Sequence, residues 1–193
     1  MRKRVFCSAS GILFMAVAAG AQQPAGQKVG LATTLQRAYA AIKTNLTQSA
    51  EKMPEADYNS KPSTMPEVRT FGKLFGHVAN AQFGSCAAAK GVPNPNQGND
   101  LETKTTRSEF VKALADSFAF CDDAFSSLTD QNALEMVKQG QNEVTRAGVL
   151  LNMIAHSNEM YGTSAVYLRA KNIVPPSTEN AAQGRGMRGR GAP

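Results

Sequence analysis

Residues 145–171 read TRAGVLLNMIAHSNEMYGTSAVYLRAK, with apolar side chains recurring at intervals of three and four residues. That spacing is typical of an α-helix with one apolar face. Thr145 is a suitable N-cap, and the proline pair at 175–176 prevents the helix from continuing. One face of this predicted helix comprises Val149, Met153, His156, Met160, Ser164 and Tyr167.

Three further stretches have the same periodicity, at about residues 29–53, 70–90 and 106–128. The last of them opens with a capping box, Thr106 to Glu109. Residues 129–144 are polar and predict at most a short helical turn, and strand signals are almost absent. Four amphipathic helices of this length indicate an all-α fold, a four-helix bundle.

The connection between the second and third helices spans about 15 residues, which is long for a turn between antiparallel neighbours. We therefore expect these two helices to run parallel, joined by a crossover. Cys86 and Cys121 would then each lie roughly 23 Å along their helices and at the same height. The pattern favours a disulfide between them, and two buried free thiols are the alternative.

The two ends of the chain differ from its body. MRKR, the apolar residues 5–18 and Ala19-Gly20-Ala21 together predict a signal peptide over residues 1–21, with an N-terminal membrane anchor as the alternative. The folded domain is then 22–178, exported to the periplasm or secreted, where a disulfide can form. Residues 179–193 have no apolar pattern and predict a disordered Arg/Gly tail.

The formal net charge of +6 comes from the chain ends, each of which carries three arginines or lysines. Between them, 15 basic and 15 acidic residues balance, so a nucleic acid partner is not expected. The body contains no apolar run of about 20 residues, so no membrane span is expected in the mature protein.

The chain has two histidines, and both fall on helix faces that the periodicity buries. If the second and fourth helices are antiparallel, His77 and His156 lie within one helical turn of each other. A catalytic metal site usually has three protein ligands, for which Glu159 and Met160 are the remaining candidates. The alternative is two core histidines hydrogen-bonded to the backbone or to Asn80, Asn152 or Tyr161.

Residues 74–86, LFGHVANAQFGSC, and residues 150–178 through the double proline resemble the DinB/YfiT-like family, as does the loop 65–74. The resemblance implies a four-helix bundle in up-down-down-up order. It also implies a metal triad of one histidine from the second helix and a His-x-x-x-His pair from the fourth. His77 and His156 match that triad, whereas Met160 stands where the family has its third histidine.

The resemblance implies a divalent metal, zinc or nickel, while a thioether at position 160 suits a softer ion such as Cu(I). It also implies a homodimer, as in many relatives. We expect an exported, non-catalytic bundle that binds a small-molecule ligand or a metal. The alternative is a metal-dependent thiol transferase or hydrolase-like enzyme, with Glu159 and Tyr161 as candidates for proton transfer.

Overall fold

The computed structural model describes residue 26 and residues 28–189, with side chains placed up to residue 183. The signal peptide predicted for residues 1–21 lies outside the described residues. Helices account for most of the described chain, which also contains one short hairpin. The elements are α1 (Leu31–Lys52), α2 (Phe71–Lys90), α3 (Arg107–Ser126), β1 (Met136–Gln139), β2 (Asn142–Thr145), α4 (Arg146–Ala170) and α5 (Pro176–Gly189).

The helix ends follow the local sequence signals. The Thr106 side chain accepts from the Glu109 N–H and the Glu109 carboxylate accepts in return, which completes the predicted capping box of α3. The Thr145 side chain accepts from the Gly148 N–H at the start of α4. Helix α2 ends at Gly91, whose φ of 67° is a left-handed conformation that glycine adopts without steric cost.

Contacts between α2 and α3 show that the two helices run parallel. Near their middles, the Ser117 hydroxyl donates to the Gln82 side-chain oxygen at 2.8 Å. One turn further along both helices, Cys86 and Cys121 form a disulfide with a Cα–Cα distance of 5.3 Å. Both cysteines are fully buried. The structure therefore contains the predicted bridge, and the two helices run parallel in it.

The other two helices run in the opposite direction. The Arg107 guanidinium, at the start of α3, donates to the Glu51 carbonyl near the end of α1 at 2.7 Å. The Arg146 guanidinium, at the start of α4, donates to the Ala89 carbonyl at the end of α2 at 2.7 Å. Helices α1 and α4 are therefore antiparallel to α2 and α3, which is the up-down-down-up order. Among the described residues, no helix is both long and apolar enough to cross a membrane.

A two-stranded hairpin, β1 and β2, occupies the segment for which the sequence predicts at most a helical turn. Val137 pairs with Val144, and the strands close through Gly140, whose φ is 63°. The Arg146 guanidinium binds the Glu135 carboxylate at 2.7 Å and fixes the hairpin to the start of α4. Strands of four residues are too short to display an alternating pattern, so the sequence gives no signal for them.

Helix α5 lies where the sequence predicts a disordered tail from residue 179 onwards. Pro176 is well suited to the first turn of a helix, and the Tyr161 hydroxyl bonds with Ser177 at 2.7 Å. The Lys52 ammonium binds the Glu179 carboxylate at 2.6 Å. These contacts with α1 and α4 hold the start of α5, up to residue 180, where the sequence has no apolar pattern.

Candidate functional site

The two histidines of the chain meet between α2 and α4. The ring centroids of His77 and His156 are 5.0 Å apart, and the ring planes are inclined at 69°. Each side chain is nearly three-quarters buried, with 28% and 29% of its surface exposed. The antiparallel packing of the two helices thus brings together two imidazoles that are far apart in sequence.

Glu102 orients His77, and the sequence analysis did not identify it. The carboxylate lies in a 3₁₀ turn, Leu101–Thr103, and its Oε1 is 2.7 Å from His77 Nδ1. Because an ionised carboxylate only accepts hydrogen bonds, Nδ1 donates to it, and in the neutral tautomer that this contact selects, Nε2 carries the lone pair. A carboxylate behind a histidine in this way is the usual second partner of a metal-binding imidazole.

Arg69 holds Glu102 in place. Its Nε donates to Glu102 Oε2 at 2.8 Å, and its Nη2 donates to Oε1 at 3.2 Å. The Arg69 carbonyl in turn accepts from the Tyr167 hydroxyl of α4 at 2.7 Å. Partial burial alone would raise the pKa of the Glu102 carboxyl, but hydrogen bonds from Arg69 and His77 outweigh it and lower that pKa. Glu102 therefore stays ionised.

Gly76 allows the 3₁₀ turn to approach α2 closely enough for this contact. A Cβ atom at position 76 would lie 2.7 Å from the Leu101 carbonyl carbon and 2.9 Å from the Glu102 nitrogen. Both distances are shorter than real Cβ contacts, so only glycine fits without displacing the turn. The residue immediately before His77 thus sets the position of the carboxylate that orients it.

His156 offers the second free nitrogen. Its Nε2 is buried and has no hydrogen-bond partner among the described residues. Burial first, and then the proximity of His77 and Arg69, lower the pKa of this imidazole, while Glu159 acts in the opposite direction. A neutral imidazole with an unpartnered buried nitrogen is a suitable metal ligand.

The other predicted candidates lie less favourably. Met160 packs against the hydrophobic core. The Glu159 carboxylate is 72% exposed and 4.0 Å from His156 Nδ1. The Tyr161 hydroxyl is bound to Ser177, and the Asn80 amide binds Asp100, so neither is the hydrogen-bond partner of a histidine.

The donor set fits half of a metal coordination shell. Two imidazoles that bind one ion at about 2.1 Å each place their ring centroids roughly 4.5 to 6.5 Å apart, a range that includes the observed distance. Within the described part of the chain, no three His, Cys, Asp or Glu side chains are grouped so as to hold a metal ion. The separation of the two rings is thus compatible with one ion between them, and any further ligands would have to be Met160, Glu159 or molecules from solution.

The lowered pKa of His156 predicts a pH dependence of stability in the metal-free protein. Above the ordinary histidine pKa of 6.5 both folded and unfolded states are neutral at this residue. As the pH falls below that value, the unfolded chain takes up a proton that the folded chain resists, so the free energy of unfolding decreases. Compared with His156→Gln, the wild type should lose more stability between about pH 7.5 and 5.5 in urea denaturation. If the free energies of unfolding of wild type and His156→Gln differed by the same amount at both pH values, the lowered pKa of His156 would be contradicted.

Comparison with known proteins supports the fold and places the chain in a family. The structure is similar to a crystal structure of a DinB-like protein from Bacillus cereus ATCC 10987, with a TM-score of 0.61 and 13% identity, over 74% of this chain and 93% of that one. It is similar to a conserved protein from Enterococcus faecalis, with a TM-score of 0.59 and 14% identity, over 74% and 97% of the two chains. A DinB-like protein from Bacillus subtilis gives a TM-score of 0.57 and 17% identity, over 72% and 92%.

No curated protein matches the sequence significantly. The family model of the DinB superfamily matches residues 38–163 of the sequence. This range includes both histidines and the four helices of the bundle, apart from the first turns of α1 and the end of α4. That match covers more than half of the chain, and the structural neighbours agree with it in fold. The chain belongs to the DinB superfamily.

Proposed function

We propose that this protein binds one transition-metal ion through Nε2 of His77 and Nε2 of His156, and that it serves as a non-catalytic metal- or small-ligand-binding bundle outside the cytoplasm. The observation that carries the proposal is the buried, unpartnered Nε2 of His156 beside a histidine whose other nitrogen is fixed by a carboxylate. A buried polar atom without a partner costs free energy, and a metal ion would supply the missing partner.

Each residue around the pair has a distinct task in this proposal. Glu102 holds the proton on Nδ1 of His77, so that Nε2 faces the site with its lone pair free. Arg69 keeps Glu102 ionised and in position. Burial keeps His156 neutral, which avoids competition between a proton and a metal for Nε2. A bound ion would act as a Lewis acid toward a small ligand that completes its shell.

Zinc and nickel are the preferred ions because both are bound well by imidazole. Cu(I) becomes the better candidate if the Met160 thioether turns toward the histidines, since soft ions favour sulfur. The fully buried disulfide between Cys86 and Cys121 supports an oxidising location, such as the periplasm or the cell exterior.

A second function is favoured by the Glu102–His77 hydrogen bond. A carboxylate that fixes the tautomer of a histidine is the arrangement of a general base, whose Nε2 can accept a proton from a thiol or a water. The alternative of a metal-dependent thiol transferase or hydrolase then requires the ion to be held by His156 and other ligands, because Nε2 of His77 cannot bind the ion and accept a proton at the same time. Neither Glu159, which is largely exposed, nor Tyr161, which binds Ser177, is needed for that proton transfer.

The metal proposal is tested by calorimetric titration of the chelator-treated protein with zinc, nickel and Cu(I). The Cu(I) titration is carried out without oxygen and without a reducing agent, so that the disulfide stays intact. We expect one ion per chain. Glu102→Gln should weaken binding by roughly 10- to 100-fold, because it removes the group that orients His77. His156→Ala should weaken it at least as much, while Met160→His should strengthen zinc binding by adding a third nitrogen.

Lys138→Gln, on the distant hairpin, serves as the control and should leave the affinity unchanged. Absence of binding to the wild type by all three ions would contradict the proposal, as would equal affinity in wild type and His156→Ala. Hydrolysis or thiol transfer that requires His77 and the bound ion would favour the enzymatic alternative.

A further inference from the structure

A polar cleft is lined by both members of the Arg69–Glu102 ion pair, whose carboxylate also contacts His77. Its volume is about 270 Å³, close to the lower end of the range for small-molecule sites. Both members of the ion pair line it, so its wall is continuous with the group that orients His77. The charged and hydroxyl side chains that line the cleft are Lys61, Glu67, Arg69, Thr70, Lys73 and Glu102.

The charges of the cleft favour an anion. Arg69 and Glu102 neutralise each other, which leaves the ammonium groups of Lys61 and Lys73 against the single carboxylate of Glu67. Lys73 forms no ion pair within the described part of the chain, whereas Lys61 donates to the Met65 carbonyl at 2.9 Å. The lining side chains are therefore net positive. The Lys73 ammonium forms no hydrogen bond among the described residues, although it lies near enough to Asp100 to lower the pKa of that carboxyl.

Arg69 adds a geometric preference to this charge. Its guanidinium has five N–H donors, and the structure uses only the Nε and Nη2 edge, on Glu102. The second edge, formed by Nη1 and the remaining Nη2 hydrogen, has no acceptor among the described residues. Two parallel N–H groups match the two oxygens of a carboxylate, so one guanidinium can hold Glu102 and a ligand at once.

The start of α2 supports the same ligand. Thr70 is the N-cap residue, yet its hydroxyl makes no capping bond and is buried without a partner. The first turn of this 20-residue helix contains no acidic side chain, so its positive dipole end is not compensated locally. An anion in the cleft would provide that compensation beside Lys73.

We propose that this cleft binds the carboxylate of a small organic anion, clamped by the free edge of Arg69 and by Lys73, next to the histidine pair. The proposal rests on the proposed function in one respect: the bound anion would be the small ligand presented to the metal-binding site. Binding in the cleft itself requires only Arg69, Lys73 and the start of α2.

The test is calorimetric titration of the metal-free full chain with succinate, and separately with inorganic phosphate, at low ionic strength. We expect saturable binding of succinate with a millimolar dissociation constant. Lys73→Gln should weaken it about fivefold or more, the loss of one charge-assisted contact. Lys138→Gln removes the same charge from an exposed lysine on β1 and should change the affinity less than twofold.

Three results would overturn the proposal: no saturable binding of succinate, equal weakening by the two lysine variants, or binding of phosphate but not of succinate. The metal titration described above is carried out without succinate, and this one without metal. If the wild type bound succinate but not zinc, only the metal site would be contradicted. If it bound zinc but not succinate, only the anion site in the cleft would be contradicted.

Discussion

Reducing the Cys86–Cys121 disulfide is expected to lower the free energy of unfolding by about 4 kcal/mol. The bridge closes a loop of 35 residues that contains the whole crossover between α2 and α3. In the chain-entropy model, opening a loop of that length gives the unfolded chain this amount of additional freedom. Because α2 and α3 run parallel, no short turn holds their ends together, and the covalent link carries that task.

The measurement is urea denaturation with and without a phosphine reductant. In a thermal melt, the same loss of stability should lower the Tm of a protein of this size by roughly 8 to 16 °C. The double variant Cys86→Ser/Cys121→Ser is the control, and the reductant should not change its stability. A reduced wild type within about 0.5 kcal/mol of the oxidised protein would show that the bridge does not constrain the unfolded chain.

Replacing Gly76 with alanine is expected to cost about 2 to 3 kcal/mol and to weaken metal binding. The added Cβ would meet the backbone of Leu101 and Glu102, which cannot rotate away as a side chain can. The helix itself would gain up to about 1 kcal/mol from the change, so the expected loss is a net result of opposing effects. Displacing the turn moves the Glu102 carboxylate away from His77, which reduces the affinity for zinc.

Gly84→Ala provides a matched control on the same helix. A Cβ at position 84 has nothing within 4 Å, so this variant should be more stable than the wild type by about 0.5 to 1 kcal/mol. Zinc affinity should not change. If the two variants had equal stability and equal affinity for zinc, the close approach of the turn at Gly76 would have no role in positioning Glu102.

Much of the bundle follows from local sequence signals because each helix carries its own boundaries and its own apolar face. The capping box at Thr106 and the left-handed Gly91 define ends that no tertiary contact has to create. The parallel pairing of α2 and α3 could be predicted because the connection between them is too long for a turn between antiparallel neighbours, and the nearly equal distances of the two cysteines from their helix starts agree with it. The meeting of His77 and His156 followed from the same axial arithmetic.

Features that depend on contacts between distant segments could not be predicted in this way. Glu102 lies in a polar loop without periodicity, 25 residues after the histidine that it binds, and nothing local distinguishes it from the other acidic residues. Helix α5 depends on Lys52 and Tyr161 from other helices. The cleft beside Arg69 likewise forms only when the loop before α2 packs against the turn that carries Glu102.

The most direct test of the histidine site is the side-chain ¹⁵N NMR spectrum of the protein during zinc titration. The chain has only two histidines, so every imidazole signal belongs to His77 or His156. We expect both Nε2 signals to shift together and to stop shifting at one zinc per chain, with Nδ1 of His77 remaining protonated. A shift of only one imidazole, or no shift at one equivalent, would contradict a site shared by the two rings.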